Sequence, residues 1–451
     1  MDNLNMKIIK NKPKISGSRE RKQVIQLIEA GIEAARPENL MKKAVRYGKE
    51  FNSLIINNNE FNLLSGRIFV IGGGKATGKM AEIFENIVGA ENITAGIVNS
   101  IEKNKNTKKI KVIKAGHPLP DRAGLKGVEK MLGLKKKYKI NKKDLVICLL
   151  SGGGSAMLPA PVDGVSLAEK QKTTSLLIKS GADIQEINIA RKHLSKIKGG
   201  QLTDFFAPAQ VVSIIISDVI LEKQETIASG PTAIDPATFQ DAYLILKKYN
   251  LIKYIPENAV KYIKEGTQGK RKETSKAVRA KNFIIGSNKN ALEAIAFEAK
   301  RLKLKPLIAG TSINKNVETE AKEIIESLVK KENSYYDVLI FGGEPLISLS
   351  KDHGKGGRNQ HLSALFLSYL KDMDFSWCFA SVSTDGSDYM KNIAGAIIDN
   401  NSYARALERG VDINKHIKNF DAYNLFKKLD NSLIKMDNTN TNVGDVMVFL
   451  F

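Results

Sequence analysis

A chain built from short apolar runs, each closed by glycine or a polar residue and then followed by a helix-like pattern, has few folds open to it. The runs here are RIFVIGGG, AGIVN, DLVICLLSGGG, AQVVSIIISD, NFIIGSN, DVLIFGGE and SWCFASVSTDG. Runs of that length read as strands and the patterns between them as crossover helices, so the fold class expected is α/β with parallel sheets. In such sheets ligands gather beyond the carboxyl ends of the strands, which directs the search for chemistry to the residues that close each run.

At 451 residues the chain is roughly three times the ~150-residue length of one domain. Two domains are expected, 1–270 and 271–451, because the polar, basic stretch EGTQGKRKETSKAVRAK at 265–281 reads as a surface connection. Each should be a mostly parallel sheet flanked by helices. Ahead of the first strand, Val24, Ile25, Leu27, Ile28 and Ile32, then Leu40, Ala44 and Val45, recur at helical spacing and predict two helices between Lys22 and Arg46.

No apolar run approaches the ~18 residues of a membrane span, and the polar leader lacks the apolar core of a signal peptide. Cys148 and Cys378 each lie inside an apolar run, which excludes a disulfide framework and points to a reducing, cytoplasmic location. No histidine or cysteine pairs at the spacing of a zinc site. The net charge of +22 makes the surface attractive to anions. Its basic runs, at 103–114, 135–143, 270–281 and 300–305, are nevertheless scattered and carry no nucleic-acid motif, and Tyr138 is their only aromatic residue. They read as solvated faces. The partner expected is a small molecule, not nucleic acid or a membrane, and a homo-oligomer is left open.

The turn from Gly72 to Lys79, GGGKATGK, follows a strand and opens a helix through Met80 and Phe84. It nearly matches two phosphate-binding patterns, but Met80 replaces the hydroxyl of a Walker A turn and Thr77 the last glycine of GxGxxG. Bare backbone N–H groups at a helix N-terminus still attract phosphate or carboxylate, and Lys75 adds a mobile positive charge. SGGGS, comprising Ser151, Gly152, Gly153, Gly154 and Ser155, abuts a strand and permits a backbone loop that wraps an oxyanion. Asn188, Arg191 and Ser195 share one helical stripe, whereas Lys192, Lys196 and Lys198 are assigned to solvent. Asp218 and Asp385 end strands and are candidates for holding Mg²⁺ or accepting a proton, with Asp388 just beyond. Arg358, after the loop glycines of GKGGRNQ and downstream of the strand-end Glu344, is suited to clamping phosphate or carboxylate. His117 reads as shaping the proline-rich turn AGHPLPD.

Taken in order, GGGKATGKMAE, AGHPLPD, LLSGGGSAML, NIARKHLSKIKGGQL, SDV with IASGPT, SNKNAL, FGGEP, GGRNQ, STDGSD and TNVGD resemble the glycerate 2-kinase family whose members carry a C-terminal MOFRL domain. The resemblance runs from about Ile25 to Phe451. It implies two α/β domains with the active site in the cleft between them, the MOFRL region at about 335–451, and transfer of the γ-phosphoryl of ATP to the 2-hydroxyl of D-glycerate with Mg²⁺. It further implies catalytic roles for Lys75, Arg358 and Asp385, and places the SGGGS loop, Arg191, Asp218, Asn288, Glu344 and Asp388 among the residues that bind substrate or ATP. The chain departs from the family pattern at Ile220 to Gln224, where Gly-Asp is usual after SDV, and at Asn392, where an aspartate is usual. Two other readings compete. An NAD(P)-dependent hydroxypyruvate reductase would use the strand-turn-helix at Arg67 to Phe84, but Asn99 stands where its ribose-binding acid belongs. A non-catalytic polyanion binder draws only on the net charge.

Overall fold

The computed structural model describes residues 8–63, 66–103, 106–328, 335–349 and 351–451; the polar leader at 1–7 and residues 104–105 of the first basic run lie outside them. The chain divides into two units, Leu40–Ile285 and a second made of Met1–Asn39 with Gly286–Phe451.

The first unit begins with an antiparallel meander, β1 (Val45–Gly48), β2 (Ser53–Ile56) and β3 (Asn59–Asn62). Its main sheet holds β4 (Ile68–Gly73), β5 (Ile93–Ser100), β6 (Ile110–Lys114), β7 (Leu145–Ser151), β8 (Gln210–Ile216) and β9 (Ala280–Gly286). They lie in the order β6-β5-β4-β7-β8-β9, and the β5–β6, β4–β5, β4–β7 and β7–β8 pairings are parallel. Every residue of β4 and β7 is buried, as befits strands covered by helices on both faces. From β4 the chain lays β5 and β6 to one side, then returns and lays β7 and β8 on the other. The order therefore reverses between β4 and β7, and in an open α/β sheet that reversal leaves a crevice beyond the strand ends, here after Gly73 and Ser151.

The second unit carries β10 (Pro306–Ile313), β11 (Val338–Gly343), β12 (Cys378–Ser383), β13 (Ile393–Asp399), β14 (Leu433–Lys435) and β15 (Asp445–Leu450), in the order β10-β11-β15-β12-β13-β14. The α/β class holds, but this sheet is mixed where a mostly parallel one was expected. Only β10–β11 is a parallel pairing; β11–β15, β12–β15, β12–β13 and β13–β14 are antiparallel. The helix Arg358–Tyr369 does carry the chain from β11 to β12 as a crossover. The final strand then inserts between the two and runs against both, which no local pattern announces.

Both early helices form, Arg19–Ala34 and Pro37–Ala44, with Ser18 accepting from Arg21 N–H at the first cap and Val45 already in β1. The first helix belongs to the second unit. It packs on the helix Asn288–Arg301 so closely that a Cβ on Gly31 would lie 2.7 Å from Ile295 Cγ1, and its buried Arg21 pairs with Asp399. The observed division thus differs from the expected 1–270 and 271–451 at both ends. Periodicity shows that a helix has an apolar face, not which sheet will cover it.

Candidate functional site

The crevice between β4 and β7 is where two of the expected motifs meet. Lys75 N–H donates to Gly152 O at 2.8 Å, joining the turn after β4 to the loop after β7. Ser151 Oγ accepts from Ala76 N–H at 3.0 Å and lies 3.2 Å from Thr77 Oγ1, so this serine stitches the two turns together. Gly153 sits at φ +79°, and a Cβ there would lie 2.8 Å from His117 Cδ2 and 3.3 Å from Lys75 Cγ. The His117 ring and the Lys75 stem therefore crowd over a position that only glycine fills without strain. Asn99 donates to Gly124 O and Met157 O at 2.9 and 2.6 Å. Its amide serves packing, and no carboxylate stands there to hold the ribose of a dinucleotide.

The far end of the SGGGS loop reaches a second group of side chains. Ser155 Oγ lies 2.8 Å from Ser229 Oγ, and Ser229 donates to Asn188 Oδ1 at 3.3 Å. Asn188 and Arg191 share a face of the helix Ile184–His193, as expected. Two lysines assigned to solvent are instead buried. Lys192 is paired with Asp235 at 2.6 Å, and Lys198 donates to Ser155 O and Ala228 O. Lys196 does face solvent, bonded to Asp163. For Lys198 the cause is physical: after Leu194 the helix has ended, and Gly199 and Gly200, both with positive φ, turn the chain inward, so helical spacing no longer predicts direction; Lys192 lies within the helix and is buried against Asp235. Burial, then the nearby charges of Arg191 and Lys170, holds the Lys198 ammonium well below its usual range; burial and Arg191 do the same to Lys170, and burial lowers Arg191.

In the second unit the strand ends assemble around Arg358. Its Nε and Nη2 donate to Asp445 Oδ2 and Oδ1 at 2.5 and 3.0 Å, and Nη1 lies 2.6 Å from Glu344 Oε1. Asp445, at 0% exposure, opens β15 opposite both Gly343 and Ser383, which brings it to the carboxyl ends of β11 and β12. Burial alone would lower the Arg358 guanidinium, but Asp445, with Glu344 and Asp388 behind it, raises it and keeps it charged. Asp445 was missed as a candidate; its signal was the TNVGD motif. Asn288 donates to Val443 O and Asp445 O at 2.9 and 2.8 Å, bracing that loop from the start of its own helix. Asp388 accepts from the N–H groups of Asn359 and Gln360 at 3.1 and 2.8 Å, which caps and orients the helix that Arg358 begins. Burial pushes its carboxyl up, against those two N–H groups.

Asp385 follows β12, partly accessible, with Oδ1 accepting from Ser383 Oγ and Ser387 N–H at 3.0 and 2.9 Å. Asp218 stands just past β8, also partly accessible. Among the described residues no three His, Cys, Asp or Glu side chains gather to hold a metal ion. Mg²⁺ usually takes only one or two carboxylates beside substrate phosphates, and the hard oxygens of Asp385 fit that donor set. Asp445 and Asp388 are committed to Arg358 and to the helix cap.

Residues 23–264 match the family described as Domain of unknown function (DUF4147), and residues 337–445 the MOFRL family. A glycerate 2-kinase from Pyrococcus horikoshii is 36% identical over 94% of this chain and 96% of its own length. A putative hydroxypyruvate reductase from Agrobacterium vitis is 34% identical over 85% of this chain and 99% of its own. The crystal structure of a glycerate kinase from Thermotoga maritima superposes with a TM-score of 0.81 at 32% identity, covering 95% of this chain and 99% of that one. Among the described residues no helix is long and apolar enough to cross a membrane.

Proposed function

The chain belongs to the glycerate 2-kinase family that carries a MOFRL domain, and from that premise we propose that it transfers the γ-phosphoryl of ATP to the 2-hydroxyl of D-glycerate, giving 2-phosphoglycerate and ADP. Phosphoryl transfer asks a protein for positioning and charge neutralisation more than for covalent chemistry. The observation that carries the reading is the meeting of the Lys75 turn and the SGGGS loop at the sheet reversal, which sets the lysine beside the glycine-rich backbone of the loop, a pairing suited to an anion.

Lys75 neutralises phosphate charge in this reading, and Arg358 does so from a guanidinium held by Asp445 and Glu344, which leaves two of its five N–H donors for substrate. The substrate hydroxyl oxygen forms a bond to the γ-phosphorus as the bond to the bridging oxygen breaks, releasing ADP. Asp385 or Asp218 accepts the hydroxyl proton. Mg²⁺, when bound, would supply further charge neutralisation on the phosphate oxygens, with whichever of Asp385 and Asp218 does not take the proton proposed to hold it. The buried, unpaired Cys148 and Cys378 support a reducing, cytoplasmic setting.

Incubation with ATP, Mg²⁺ and D-glycerate, followed by an enolase-coupled readout that accepts 2-phosphoglycerate but not its 3-isomer, tests reaction and regiochemistry together. ADP without enolase signal would overturn the 2-hydroxyl assignment, and neither product would overturn the kinase reading. NADH consumption with hydroxypyruvate would favour the reductase instead.

A further inference from the structure

Lys170, Arg191 and Lys198 of the Leu40–Ile285 unit, two buried and one partly buried, have no carboxylate partner among the described residues. Lys198 is 1% exposed and Lys170 7%. Lys198 Nζ donates to the carbonyls of Ser155 at 3.0 Å and Ala228 at 3.2 Å, and Lys170 Nζ to that of Leu194 at 2.8 Å. Among the described residues no carboxylate lies within 4.0 Å of either, nor of Arg191. Arg191 depresses both ammonium groups, so the three share one field. Lys192, from the same stretch and equally buried, is matched by Asp235 at 2.6 Å. The fold thus supplies a counter-charge to one buried lysine here and withholds it from two.

Charges removed from water and left unmatched are costly, and they persist where a ligand completes them. The neutral neighbours suit a ligand's oxygens: the Ser155 and Ser229 hydroxyls lie 2.8 Å apart, and Ser229 reaches Asn188, which shares a helix face with Arg191. Of the three cations only Arg191 is partly accessible, so a ligand meets one guanidinium fork backed by two enclosed charges. A planar carboxylate matches a single fork with paired hydrogen bonds. A polyphosphate calls for several accessible donors, more than one partly accessible fork supplies.

Resting on the kinase reading above for the identity of the acceptor, we propose that Arg191, Lys198 and Lys170, with the hydroxyls of Ser155 and Ser229, seat the carboxylate of D-glycerate. The acceptor is then selected by its anionic end, and uncharged polyols are excluded.

The test is calorimetric titration of the full-length protein with D-glycerate, with and without ADP, and with glycerol as the uncharged analogue. Arg191→Gln removes the accessible charge, and Lys198→Gln removes the enclosed one while keeping a donor for the two carbonyls. Each should weaken D-glycerate binding about 30-fold or more. Lys196→Gln, which removes an exposed charge from the same stretch, should bind as wild type, glycerol should give no measurable heat, and ADP affinity in Arg191→Gln should stay within about twofold of wild type. Absence of D-glycerate binding to wild type, wild-type affinity in Arg191→Gln, or loss of ADP affinity in its place would each overturn the assignment. Should Lys198→Gln fail to fold, Arg191→Gln, altered at a partly accessible position, still decides. If D-glycerate binds through Arg191 yet no ADP forms in the kinase assay, the kinase reading fails and the carboxylate seat stands.

Discussion

Replacing Arg358 with lysine separates geometry from charge. Lysine keeps the positive charge but offers a point donor in place of a planar fork. Arg358 uses Nε and Nη2 on Asp445 and Nη1 on Glu344, so the fork itself aims the remaining donors. A lysine at this position cannot satisfy both oxygens of Asp445 and also present directed donors to a phosphoryl group. Loss of a preorganised donor of this kind costs a factor of about 10² to 10³ in kcat, or about 2.7 to 4 kcal/mol at the barrier. The stability cost should be smaller than the about 3 to 5 kcal/mol that removing one partner of a buried pair exacts, because a cation remains near the fully buried Asp445. The assay is kcat at saturating ATP and D-glycerate, read through the enolase couple, with the far-ultraviolet circular dichroism spectrum recorded on the same sample. A folded Arg358→Lys protein with kcat within about threefold of wild type would refute the view that the pinned fork, and not charge alone, serves the reaction.

Other positions answer to different measurements. Gly342→Ala would drive a methyl group into Asn288 Oδ1, dislodging the amide that holds Val443 O and Asp445 O; a loss of about 1 to 3 kcal/mol in denaturant unfolding should accompany lower activity. His361 is buried on the Arg358 helix, stacked on Phe420, and burial lowers it from 6.5 to about 4. The unfolded chain therefore takes up a proton that the fold refuses between those values, so the stabilisation is complete above about pH 6.5 and is lost as pH falls towards 4. At 1.36 kcal/mol per pH unit the window is worth about 3 kcal/mol. His361→Leu should flatten the decline of stability with falling pH by that amount, and an unchanged slope would contradict it.

What could be read along the chain was local. Short apolar runs ending in glycine announced the strands, and Lys75 and the SGGGS loop stand where such runs end, because a strand's carboxyl end is marked by its own residues; Arg358 was announced by the loop glycines before its helix. The insertion of β15 between β11 and β12 was not legible, since it depends on pairing between segments far apart in sequence. Asp445 escaped notice for the same reason: in sequence it is one more aspartate after glycine, and only the register opposite Gly343 and Ser383 brings it under Arg358. Lys198 was misread because a lysine after a helix is ordinarily solvated, and the turn at Gly199 and Gly200 that buries it follows it in the chain. The helix Arg19–Ala34 was foreseen as a helix but credited to the wrong unit, its apolar stripe being equally compatible with either sheet.

Lys75 carries most of the weight in this account, as the side-chain cation at the reversal of the parallel sheet. The single-turnover rate of γ-phosphoryl transfer from ATP to D-glycerate in Lys75→Met protein tests it most directly. A fall of about a hundredfold or more, with the circular dichroism spectrum and thermal midpoint of the wild type preserved, is the predicted result. Transfer at close to the wild-type rate would contradict it.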